Sequence, residues 1–450
     1  MTLLPLTLSG DAVTRPKAKA GYVSLLFGFQ AILGGAAVGL LVTHSSSGLL
    51  LIAAAGGLIV AAATFARLEW GLLALVFITY SRVSDVAVAE YGAPSVAKFF
   101  VVFLLGIVVL RAVLHGERPT GWVRPAALLA VYGVVGALSL FYAAETDRAQ
   151  AVLSDYVKDM LIAVLVVVLL QRGRTLRRVV WVLLAVGIFL GTIGVVQYAT
   201  GSFDNNFLGF GRAGLLHIVG QTNDYRISGP LANPNAFGQI LLVIVPLAFD
   251  RLWNERSIWL RVLAGWALAV TVLAIVFTFS RGAFLGLVVV IALVFLRHPP
   301  RPAIVLLSLV VVLAVAPFIP AEYTSRISSL QEGIPFLGGN VRAEASLRGR
   351  TSEMTVGWRM FADHPIIGVG WGNYPAHYQT YSRLLGLDPR RGTRSPHSLY
   401  LQVAAETGLL GLAVFGLLLW QMYSGLLKAQ RALRAADRTE LADIVVAFTI

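Results

Sequence analysis

The sequence predicts an all-α polytopic membrane protein, with about 12–13 membrane-spanning helices and a helical cap on the extracytoplasmic side. Three observations predict it. The first is composition: of 450 residues, 57% are hydrophobic and 13% charged, whereas soluble domains run near about 25% charged. The mean hydropathy is +0.77, and a chain this apolar lacks the polar surface to stay dissolved. The second is the blockwise arrangement of the apolar residues. Runs such as Leu161 to Leu170 and Ala303 to Phe318 have no polar face, which reads as membrane span rather than amphipathic helix. The third is that basic residues recur in short tracts between those blocks, the pattern of cytoplasmic loops.

The elements follow in order. The first twenty residues are polar and carry Arg15, Lys17 and Lys19, a cytoplasmic amino-terminal segment. Spans are expected over 21–43, 48–66, 70–80, 96–114, 125–142, 154–170, 179–199, 233–250, 259–279, 282–296, 303–319 and 397–424. The block at 21–43 is too long for a signal-peptide core and is read as a retained span. A thirteenth apolar run begins near Ala442 and reaches Ile450 still apolar, so the natural chain is expected to continue. The resulting organisation is a cytoplasmic segment 1–20, a membrane domain 21–319, a large extracytoplasmic cap 320–396, and carboxy-terminal membrane helices 397–450. No repeat of fixed period and no paired broken helices of the transporter type stand out.

Charge fixes the orientation. With the amino terminus inside, inner segments and span ends hold twenty Lys and Arg, and the short outer ones only Arg82, Lys98, Arg148, Lys158, Arg212, Arg226 and Arg281. The segment 320–396 is set aside, because long loops translocate whatever their charge. The net charge of +13 therefore reports topology and does not call for nucleic acid. The chain has no cysteine. Disulfides, thiolate zinc sites and cysteine nucleophiles are excluded.

Two outer segments, 200–232 and 320–396, exceed ordinary loop length, which points to function. The second contains a possible amphipathic helix, Glu353 to Ala362, and then Gly368-Val-Gly-Trp-Gly-Asn373. Its aromatic residues Trp371, Tyr374, Tyr378 and Tyr381 argue for a folded cap, and Trp371, Tyr374 and Tyr378 are candidates to stack on sugar faces.

Four outer-face features carry candidate chemistry. Arg226-Ile-Ser-Gly229 is followed by Asn233-Pro-Asn235; Arg281 opens a span; Arg342, Arg348 and Arg350 cluster in the loop; His397 opens another span, with Glu406 further along. Each also has a plain structural reading. Arg281 can snorkel. Asn233-Pro can cap a helix. The loop arginines can be solvated, and His397 can serve as a cap. Glu406 lies about 13 Å beyond His397 at about 1.5 Å per residue, a depth where an ionisable group is costly and usually functional or paired. Charge bias alone places Arg226, Arg281, Arg350 and His397 on one face. Guanidinium groups there suit a phosphate or diphosphate, with Asn235, Arg348 and Glu406 as supporting candidates. A histidine beside them is a candidate general base. An outer-face enzyme has no cytoplasmic nucleotide to draw on, so its natural donor is a lipid-linked diphosphate.

The stretch His397-Ser-Leu-Tyr-Leu-Gln-Val-Ala-Ala-Glu-Thr-Gly-Leu-Leu-Gly411 resembles the signature of the O-antigen ligase and polymerase superfamily: His, then Asn, Ser or Gln, nine residues, then Gly-x-x-Gly. Arg281 and Leu285 meet its Arg-x-x-x-Leu pattern. The Asn-Pro-Asn segment and His364-Pro-Ile-Ile-Gly-Val-Gly-Trp-Gly-Asn373 are similar to family segments, and the resemblance covers roughly 180–424. It implies a glycosyltransferase of the GT-C-like helical class in the bacterial cytoplasmic (inner) membrane. The implied donor is a glycan on undecaprenyl diphosphate; the acceptor is a glycan, lipid or protein hydroxyl. The resemblance assigns His397 as base and Arg281, with Arg350 or Arg226, as diphosphate ligands, with no metal and no cofactor. The rival from the residues alone is a transporter for a small anion or polar solute, using Asp155, Lys158, Asp159 and Glu406 as a relay.

Overall fold

A computed structural model describes residues 48–116, 119–215, 225–297, 345–387 and 394–450. The spans expected at 21–43 and 303–319, and Arg342, lie outside these residues. Among the described residues six helices are long and apolar enough to cross a membrane, or seven if one bent pair counts as a single span. The protein is an all-α multi-pass membrane protein, as its sequence predicts. Two units divide it: 1–122 with 162–183, and 123–161 with 184–450.

In the first unit, α1 (Gly48–Ala66), α2 (Leu68–Ser81), α3 (Val83–Tyr91) and α4 (Val96–His115) follow one another closely. The short span expected at 70–80 is α2 joined to α3 by a 55° bend. Arg82 sits at the bend with φ +60°, a left-handed position that ends one helix and starts the next. Ser95 caps α4 by accepting from the Lys98 amide, and Gly116 closes it with φ +64°, the left-handed stop that glycine favours.

The second unit carries the cap. It contains α5 (Val123–Leu138) with a 3-10 turn at Ser139–Phe141, and most of α6 (Thr146–Leu169) and α7 (Gly173–Thr200). Helix α6 begins well before the expected 154–170, because its first turns are polar. A two-stranded antiparallel hairpin follows, β1 (Arg212–Leu215) with β2 (Tyr225–Gly229), in register Ala213 to Ile227. It was not expected. The segment 200–232 gains it by stacking Tyr225 on Phe203, with ring centroids 4.3 Å apart, and by burying Ile227.

Then come α8 (Pro234–Asn254), α9 (Ile258–Phe277), α10 (Arg281–Arg297), α11 (Ala345–Asp363), α12 (Tyr374–Leu384), α13 (Leu399–Ala435) and α14 (Thr439–Ala447). Helix α14 is the run seen near Ala442. It is tied to α8 by the buried Arg251, whose Nη1 lies 2.9 Å from Glu440 and whose Nη2 lies 2.8 Å from Asp250. Such a charge needs its partners; leaving it unpaired costs about 3–5 kcal/mol.

Helix α13 contains the feature that places the cap. At Gly408 the backbone leaves the helix, with φ +65° and ψ −162°. This is a region that essentially only glycine enters. The break frees main-chain groups that a helix would have used internally. The segment 365–370 takes them: the amides of Leu409 and Leu410 donate to the carbonyls of Pro365 and Ile366 at 2.7 and 3.2 Å. The amides of Val369 and Gly370 donate to the carbonyls of Ala405 and Glu406 at 2.9 and 3.0 Å. Gly368, at φ +68°, allows the close approach; a Cβ there would meet the Thr407 amide at 2.5 Å. The sequence had shown no broken helix, because a glycine inside an apolar run reads as small packing.

The same segment is fixed on its other side by the corner between α5 and α6. The Tyr142 hydroxyl donates to the Ile367 carbonyl at 2.6 Å, and the Trp371 amide to Ser139 Oγ at 2.9 Å. Asn373 is fully buried; its Oδ1 accepts from the Glu145 amide at 2.7 Å and its Nδ2 donates to the Glu145 carbonyl. Trp371 inserts between Tyr132 and Tyr156, with centroids 5.3 and 4.9 Å away. Gly136 makes the notch for it, since any Cβ there would overlap the indole.

Candidate functional site

Two clusters of expected site residues emerge. In the first, β2, the start of α8 and the corner between α9 and α10 converge. Asn233 caps α8, its side chain accepting from the Asn235 and Ala236 amides, and Pro234 stands in the first turn. The plain reading of that dipeptide is right. Asn235 does something further: its Oδ1 accepts from Arg226 Nη2 at 3.2 Å. Arg226 is 8% exposed, and its Nε donates to the Thr278 carbonyl at 2.6 Å. Thr278 leads through Phe279, at φ +49°, to Ser280, whose hydroxyl accepts from the Ala283 amide and opens α10. Arg281 is the first residue of that helix and is half-buried. The structure thus joins Arg226, Asn235 and the Arg281 corner, three features separated in sequence.

The second cluster surrounds His397. The residue that caps α13 is Ser398, whose side chain accepts from the Leu401 amide at 3.4 Å. His397 is therefore not the cap. Its backbone is left-handed, φ +51°, an unusual state that costs on the order of 1–3 kcal/mol and concentrates at functional positions. Its side chain is 48% exposed, and Nε2 lies 3.3 Å from Glu353 Oε2. Glu353 is 2% exposed, and its other oxygen lies 3.7 Å from Arg394 Nη1. The Tyr374 hydroxyl donates to the Glu353 carbonyl at 2.5 Å. Burial first, and then the Glu353 charge, push the Tyr374 phenol far above its ordinary value, so it stays a donor. Burial and then His364 push the imidazole of His377 below its usual range, opposed by Glu145.

Three expectations are corrected. Tyr374 and Tyr378 are 0% exposed and form the cap's core with Val356, Met360 and Tyr381. Trp371 is closed in by Tyr132 and Tyr156. None of the three presents a face on which a sugar can stack; aromatic area drew them inward. Glu406 is also committed elsewhere. Its carboxylate accepts from the Gly372 amide at 3.0 Å, the Tyr374 amide at 3.3 Å and Gln402 Nε2 at 3.4 Å. It anchors the glycine-rich segment, and the stretch of α13 before Gly408 is packed by that segment. The relay postulated for a transporter does not form. Glu406 is held by amides, while Lys158 pairs with Asp155 and Asp159, whose side chains are both 69% exposed.

Arg350 lies half-buried on α11, one turn before Glu353. Arg348 falls in the first turns of the same helix, where the backbone alone is described. Sequence reasoning missed Glu353 and Arg394. A signal for Glu353 was present: Glu353, Val356 and Met360 recur at helical spacing, and a carboxylate on an apolar face asks for a partner. Arg394 gave no comparable signal.

Residues 266–416 match a family model described as O-antigen ligase. This stretch, 266–416 of the 450 residues, is similar to the O-antigen ligase and polymerase superfamily and supports the resemblance read from the sequence. The matched stretch takes in Arg281, Arg350, Glu353, the segment 364–373, His397 and both glycines of the signature. Arg226 and Asn235 lie before it, joined to it through the Thr278 carbonyl. No curated protein matches the chain. For this O-antigen ligase domain the Gly-x-x-Gly signature now has a physical account: Gly408 breaks the helix to receive the cap. At Gly411, a Cβ would overlap the Thr407 side chain. The match supports glycan handling at a membrane.

Proposed function

We propose that the protein is a glycosyltransferase that moves a glycan from undecaprenyl diphosphate to an acceptor hydroxyl, on the extracytoplasmic face of the bacterial inner membrane. The observation that carries this reading is His397. It is an accessible imidazole at the mouth of a membrane helix, within the stretch matched by the O-antigen ligase model, and it is not used as a cap. In one inverting displacement, His397 takes the proton of the acceptor hydroxyl as that oxygen bonds to the anomeric carbon of the donor sugar. The bond from that carbon to the diphosphate oxygen breaks, and the diphosphate leaves with the electron pair. Arg281, assisted by Arg226 or Arg350, stabilises the charge that builds on it. Asn235 supports the arrangement by holding Arg226. Arginine supplies the positive charge that a divalent ion would otherwise bring.

The test is transfer by purified protein in liposomes holding undecaprenyl-diphosphate-linked glycan, with lipid, glycan and protein acceptors offered in turn. His397→Asn is expected to lower turnover by about 10²–10⁴, the usual contribution of a general base, while donor binding persists. Asn variant turnover at the parent rate would remove His397 from the chemistry.

A further inference from the structure

We propose that Glu353 is a positioning residue for the transfer: its buried carboxylate grips His397 through Nε2 and leaves Nδ1 facing the acceptor. The inference rests on His397 being the base.

A carboxylate that is 2% exposed must be paired to be tolerated. Glu353 divides its two oxygens between two partners, Oε2 to His397 and Oε1 to Arg394. Both partners belong to the segment that leads into α13. The histidine, by contrast, is about half exposed. A ring so placed would sample several rotamers unless something held it, and a base must keep its lone pair aimed at one proton. The tautomer that donates from Nε2 to the carboxylate puts that lone pair on Nδ1.

What holds Glu353 is the rigid part of the cap. Val356 and Met360, on the same face of α11, are fully buried against Tyr374 and Tyr378. The Tyr374 hydroxyl holds the Glu353 carbonyl, and the Tyr374 amide is held by Glu406. The charged and titratable groups in contact with Glu353, besides His397, are thus Arg394 before α13 and Tyr374 on α12. When His397 receives the acceptor proton at Nδ1, the ring gains a positive charge next to Glu353. The carboxylate offsets that charge without taking the proton, which passes to solvent once the product leaves.

The experiment is a double-mutant cycle in the same liposome assay. Glu353→Gln is expected to lower kcat roughly 10–100-fold, the usual cost of losing the group that orients a functional histidine, with donor KM near that of the parent. Placed in the His397→Asn background, it should cause little further loss, because the two residues act as one unit. Equal losses in both backgrounds, or a Glu353→Gln variant at the parent rate, would overturn the proposal while leaving the base in place. His397→Asn at the parent rate would instead remove the base reading, and with it the need for a positioning residue. If Glu353→Gln does not fold, Glu353→Asp keeps the charge at a shorter reach. The same cycle applies: partial loss of kcat confined to the His397 background supports the proposal, and background-independent loss refutes it.

Discussion

Replacing Gly408 by alanine tests how the cap is attached. The backbone there, at φ +65° and ψ −162°, costs a residue with a side chain about 1–3 kcal/mol. The new Cβ would also meet the Ile367 amide nitrogen at 2.6 Å and the Ile366 carbonyl more closely still. These are backbone atoms, which cannot rotate away. Relief requires the 365–370 segment to lift, breaking the bonds from the Leu409 and Leu410 amides, each worth about 1 kcal/mol. The total is about 3–5 kcal/mol. At about 2–4 °C per kcal/mol for a unit of this size, the melting point should fall by roughly 6–20 °C. Thermal unfolding of the detergent-solubilised protein reads this directly. Gly416→Ala is the control, since it lies on the same helix with open space around it; there alanine should be neutral or stabilise by up to about 1 kcal/mol. If both variants melt with the parent, the break does not hold the cap.

Arg281→Lys should keep the charge yet lose most turnover, because an ammonium cannot reproduce a bidentate grip on phosphate; near-parental rates would mean that Arg281 only snorkels. Transfer should survive EDTA, since the proposed charge stabilisation comes from arginines; loss of turnover restored by a divalent ion would count against it. Leu384→Cys, in a chain with no other cysteine and at a position 76% exposed on α12, should react with an impermeant thiol reagent only from the extracytoplasmic side. Labelling from the cytoplasmic side alone would invert the topology.

The membrane class and most of the described span positions were legible because apolar block length is a direct consequence of bilayer thickness. The stretch around His397 was legible because its spacing recurs in a family. What was not legible depends on chain contacts distant in sequence. Glu406 looked like a charge sunk in hydrocarbon, because its partners, the amides of Gly372 and Tyr374, come from more than thirty residues earlier. Trp371 and Tyr374 looked like sugar platforms, because nothing local shows that Gly136 leaves a notch for one and that Glu353 accepts the hydroxyl of the other through its carbonyl. Glu353 was visible as a carboxylate on an apolar face, but only the fold places His397 beside it. The hairpin over 212–229 was missed because its two short strands flank nine residues and carry no tight-turn signal.

The pairing of 365–370 with the broken helix is made by main-chain atoms, and so it is indifferent to most of the side chains it carries. Ile366 and Ile367 project outward from it and can be exchanged without touching those bonds, provided Gly368 and Gly408 remain. The surface of this rim can therefore change in shape and polarity while the main-chain frame that carries it stays where it is.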